Sequence, residues 1–93
     1  MDTAPAGVAD RVKAAVEAVP GVVNCHKVRA RVAGPYLFVD VHVVMDGRQS
    51  LAHAHALTEV IEDRIAQIVP RADVTVHHEP QSVPDELPTE AGI

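Results

Sequence analysis

The stretch Val22–Val44, VVNCHKVRARVAGPYLFVDVHVV, carries two β-branched, alternating runs on either side of Gly34-Pro35. Gly-Pro is a turn signal, so the runs read as the two strands of a hairpin, 22–33 and 36–44. Side chains alternate along a strand. Leu37, Val39, Val41 and Val43 therefore share one face of the second strand, and Phe38, Asp40 and His42 share the other. In the first strand Lys27, Arg29 and Arg31 form a basic stripe, a solvated face that ion pairs with Asp40 or the acidic C-terminal segment would satisfy. His26 has the parity of Val28, Ala30 and Val32, which on alternation alone makes it a core or rim histidine.

Upstream, Val8, Val12, Ala15, Val16 and Val19 recur at helical spacing until Pro20-Gly21 stops the helix. Downstream, Asp46-Gly47 marks a loop, and Ser50 is suited to N-cap a helix from 51 to about 68. Leu57, Ile61, Ile65 and Ile68 form the apolar stripe of that helix, with His55, Glu59 and Glu62 on another side. Pro70 ends it. A third strand over 73–78 turns Val74 and Val76 inward and Thr75, His77 and Glu79 the other way. The order α-β-β-α-β predicts an α+β two-layer sandwich, a three-stranded sheet with both helices on one face. The hairpin makes strands one and two antiparallel, and the helical crossover makes strands two and three parallel. The spacing leaves open which strand is central.

Ninety-three residues suffice for one small domain. Seventeen valines and 14 alanines, against two aromatic residues (Tyr36 and Phe38), make its core thin. A chain this short buries roughly 60–68% of its unfolded surface, so a partner subunit or a metal would help it. No apolar run approaches the roughly 20 residues of a membrane span. Asp2, Asp10, Arg11, Lys13 and Glu17 break any apolar leader, so no signal peptide is expected. The lone Cys25 excludes an internal disulfide and suits a reducing compartment. Residues 1–7 are expected to be disordered, as is the Pro-rich acidic tail 81–93, leaving 8–80 as the folded domain. Net charge is −5, but residues 3–79 hold nine acids and eight bases, which gives no electrostatic footprint for nucleic acid.

The outlier is histidine, at six residues of 93. His42, His77 and Glu79 converge on the sheet face away from the helices, and imidazole nitrogen with carboxylate oxygen is a donor set for Zn2+. The competing reading is of half-buried polar residues on an open sheet. His53 and His55 lie two apart on a helix and cannot both face one site. His55 must reach around the sheet edge to join the others. His78 has the inward parity of Val74 and Val76. Cys25 and His26 point to opposite faces of their strand, which argues against a thiol–imidazole nucleophile and for Cys25 as a small hydrophobe. No phosphate loop or nucleophile elbow occurs, and no enzyme is expected.

Five segments together, VPGV (19–22), CHKVRARVAG (25–34), VDVHV (39–43), AHAL (54–57) and VTVHHEP (74–80), resemble the cytoplasmic C-terminal domain of cation diffusion facilitator transporters. The resemblance covers 8–80. It implies a ferredoxin-like, metallochaperone-like fold and a V-shaped homodimer on the cytoplasmic side of the bacterial inner membrane. It also implies a binuclear Zn2+ site at the dimer interface, closing the dimer to activate efflux. Cd2+, Co2+, Ni2+, Mn2+ or Fe2+ are alternative ions. By this resemblance Glu79 bridges two metals, with His26 and His42 on one and His55 and His77 on the other. Cys25, His53 and His78 match no general family ligand. The transmembrane domain that would be the partner is not in this sequence. Among rivals, a small-molecule regulatory domain similar to the ACT type shares the α+β dimer. An acylphosphatase-like enzyme lacks its arginine-bearing glycine loop, and an RRM-type sheet lacks stacking aromatics.

Overall fold

A computed structural model of the chain describes residues 7–81. The disorder expected of residues 1–6 and 82–93 lies outside the described residues. The elements run α1 (Val8–Glu17), β1 (Val22–Ala33), β2 (Tyr36–Met45), α2 (Leu51–Ile68) and β3 (Ala72–Pro80), the α-β-β-α-β order read from the sequence.

The sheet order is β1-β2-β3, so β2 is central. It pairs antiparallel with β1 and parallel with β3, as hairpin and crossover require. α1 stops two residues short of the expected 19, because Val19 N–H bonds back to the Val16 carbonyl and tightens the last turn. Val19 remains in the core at 2% exposure. β3 is longer than expected. It stays in register with β2 out to Met45 opposite Pro80, and the Gln81 N–H donates to the Met45 carbonyl at 2.7 Å. Ser50 is the N-cap of α2, its hydroxyl accepting from the His53 N–H at 3.0 Å.

Both helices pack on one face. Val12 and Val16 of α1, Ile61 and Ile65 of α2, and Val39, Val41 and Val43 of β2 are all fully buried, together with Cys25 of β1. Two glycines allow close approaches. Gly21 has φ +101°, and a Cβ there would meet Leu57 Cδ2 at 3.1 Å. At Gly47 a Cβ would fall 2.8 Å from Pro80 Cβ, so the β2–α2 loop closes down on the end of β3. Among the described residues, no element covers the opposite sheet face. Phe38, Asp40 and His42 are only half-buried there, and Thr75 and His77 are exposed. On this face Arg29 stands in register with Asp40, and the Arg31 guanidinium lies 5.6 Å from the Phe38 ring centroid.

With a core this small, single deletions are expected to weigh heavily. Ile61→Ala should lower unfolding free energy by about 2–5 kcal/mol in urea titrations, while Val60→Ala, on the exposed side of the same turn, should stay within about 0.5 kcal/mol.

Candidate metal centre

The uncovered face gathers its titratable residues where the three strands run side by side. β2 points His42 outward, and the parallel register sets His77 directly beside it on β3. The two rings stack with centroids 4.5 Å apart and planes within 10°. Two residues further along β3, Glu79 comes up on the same face.

β1 contributes by breaking its own alternation. Cys25 pairs with Val43 and Lys27 with His42, which leaves His26 as the extra residue of a β-bulge. A second irregularity lies between Val22 and Asn24. The bulge turns His26 onto the uncovered face, its ring centroid 5.6 Å from that of His42. The core or rim placement that alternation suggests for His26 is therefore overturned: the residue is exposed. A signal existed in the sequence, since the first three β1 residues opposite inward-facing β2 positions, Val22, Cys25 and Val28, recur every third residue, before Val28, Ala30 and Val32 return to every second.

The carboxylate of Glu79 ties the three strands together. It accepts from His26 Nε2 at 3.1 Å and from His42 Nδ1 at 3.5 Å. Hydrogen bonds from His26 first and His42 second hold the Glu79 carboxyl below the usual carboxylate range. One ligating atom from each of His26, His42 and Glu79 lies within 4.8 Å of the other two. Donor atoms around a tetrahedral Zn2+ at 2.0–2.1 Å lie about 3.3 Å apart, a spacing that the two hydrogen bonds bracket. The donor set thus suits a borderline divalent ion. Its imidazoles must surrender the protons they now share with Glu79 in order to ligate.

The other sequence-predicted residues lie outside this trio. His77 flanks it through the stack on His42. His55 sits in the first turns of α2, 71% exposed, 3.4 Å from Glu59 Oε2, and is not brought into the group within one chain. His53 is exposed on the same helix. His78 keeps its inward parity but is exposed, on the wall of a groove shared with Ser50, Leu51 and Ala54. Cys25 is fully buried, as a small hydrophobe should be, and burial pushes its thiol up.

An α-β-β-α-β sandwich with a histidine–carboxylate cluster on its bare sheet face defines a metal-binding domain of the metallochaperone type. Residues 5–81 match the family described as cation efflux protein, cytoplasmic domain, and the chain belongs to that family. It is 40% identical over 67 residues to the cation-efflux pump FieF of Serratia proteamaculans (strain 568), a match covering 72% of this chain and 22% of the pump. This chain thus spans about a fifth of that relative. Among solved structures it is similar to CzrB in a Zn form, with TM-score 0.76 and 28% identity over 87% of this chain and 93% of that one. A MamM C-terminal domain variant in a nickel form gives TM-score 0.72 and 25% identity over 81% and 96% of the two chains. Among the described residues no helix is long and apolar enough to cross a membrane.

Because the native state holds the Glu79 proton less tightly than the unfolded chain does, the Glu79 contribution to stability is present above the ordinary glutamate range and is lost as pH falls through and below it. Thermal melts of the metal-free protein should show Glu79→Gln less stable than wild type at pH 6, with the gap closing towards pH 3.

Proposed function

We propose that this domain is the cytoplasmic metal-sensing module of a divalent-cation efflux transporter, a binding unit rather than an enzyme. The observation that carries the reading is the convergence of His26, His42 and Glu79 on a face that the described residues leave uncovered. These three hold one Zn2+ or a similar ion such as Cd2+, Co2+, Ni2+, Mn2+ or Fe2+. Glu79 has a second carboxylate oxygen, and with His77 beside it, it bridges to a second ion. His55, exposed and remote from the trio within one chain, meets that ion across a homodimer. The Zn and nickel forms of related domains support a divalent ion, and the family supports placement beneath a transmembrane partner on the inner face of a bacterial membrane.

Binding across two copies draws the dimer closed. The ion can shift that equilibrium only by its preference for the closed form, typically about 1–3 kcal/mol. The closed dimer then biases the transporter towards turnover.

Calorimetric titration with Zn2+, with scattering on the same samples, tests this. At pH 7.5 the dimer should bind zinc and its radius of gyration should fall. At pH 5.5 affinity should drop about 10-fold for each imidazole ligand, because protons compete for the nitrogen. His42→Ala should weaken binding by at least about 10-fold, the lower end of the loss expected even for an indirect partner. Equal affinity at both pH values, or no effect of His42→Ala, would overturn the assignment.

A further inference from the structure

The bulge that delivers His26 is held from outside the sheet. Glu17, the last residue of α1, accepts a hydrogen bond from the Cys25 backbone N–H at 3.1 Å through Oε2, and the same oxygen takes Lys13 Nζ at 3.1 Å. Local preference argues against glutamate there. A helix C-terminus carries partial negative charge and favours bases, and α1 has none in its last turn. A residue that breaks a local rule while making a specific contact outside its own helix is commonly placed for what that contact does. The contact falls on the residue before the bulge. Cys25 is fully buried, so its side chain is fixed inward while its N–H is fixed to α1. The next residue, His26, is the extra one, and its ring turns outward to Glu79.

We propose that Glu17 is a positioning residue for the metal site: by holding the Cys25 N–H it fixes the bulge that presents His26 to His42 and Glu79. Without that anchor the strand can relax towards regular alternation, in which His26 takes the inward parity of Val28 and leaves the site. The importance of this to metal binding rests on the function proposed above, but the positioning itself is a property of the metal-free chain.

NMR of the metal-free protein reads it directly. In wild type the His26 and His42 rings should give mutual cross-peaks and the Cys25 amide should be protected. Glu17→Ala should lose the cross-peaks and raise Cys25 amide exchange by about 10-fold or more. It should also weaken zinc binding by about 3- to 10-fold, less than loss of a direct partner of a ligand. Glu17→Gln retains an acceptor oxygen and should restore the cross-peaks, while Lys13→Ala should leave them unchanged. Should Glu17→Ala fail to fold, Glu17→Asp, one methylene short of the Cys25 N–H, takes its place in the same measurements. Retention of both cross-peaks and amide protection without Glu17 overturns the proposal, even where the melting temperature falls. If His26→Ala binds zinc as wild type does, the metal reading fails, and the ring and amide measurements still decide the role of Glu17.

Discussion

β2 is hydrogen-bonded along both edges, antiparallel to β1 and parallel to β3, and the histidine–carboxylate cluster depends on this double pairing. Its inward residues Val39, Val41 and Val43 sit under both helices at zero exposure, so the strand cannot slip by one residue without carrying three valines into water. Register is therefore fixed by the core, on the far side of the sheet from the chemistry. His42 is carried outward by the same alternation that buries its neighbours. His77 then follows from the parallel register, and Glu79 from the period of β3.

The polar cluster contributes little to holding the fold. Its side chains are 25–44% exposed, and contacts between groups so wetted are screened and individually weak. What the cluster has instead is proximity. The carboxylate already lies within hydrogen-bond reach of two imidazoles, so an ion that replaces their shared protons need not reorganise the backbone. Among the described residues one sheet face is left uncovered, and a chain of 93 residues gains from covering such a face.

Much of this was legible in the chain. Gly34-Pro35 between two valine-rich runs fixed the hairpin, Ser50 the start of α2, and the alternation in Leu37–Val43 the two faces of β2. Each is a local signal, with turn chemistry, capping and side-chain period all acting within a few residues. The order of the strands was not legible, because it depends on which edge of β2 the α2 crossover returns to. His26 was misplaced by alternation because two irregularities interrupt β1 within six residues, between Val22 and Lys27. A bulge is read only against its partner strand. The threefold recurrence of Val22, Cys25 and Val28 gains meaning once the twofold recurrence of Val39, Val41 and Val43 is set opposite it. The role of Glu17 was hidden for the same reason, since a glutamate at a helix end announces nothing until the strand beside it is known to need an acceptor.

Two local rules are broken side by side in this chain. A strand loses its period at His26, and an acid sits at the helix end beside it. Elsewhere in the sheet the pairing continues without a shift from Lys27 to Ala33 on one side of β2 and from Ala72 to Pro80 on the other. Irregularity of this kind costs stability, in a lost ladder position and a misplaced charge, and a thin valine core has little to spare. The bulge at His26 is the irregularity that brings an imidazole to Glu79: the core sets the register, and a departure from it beside the Glu17 contact completes the three-residue cluster.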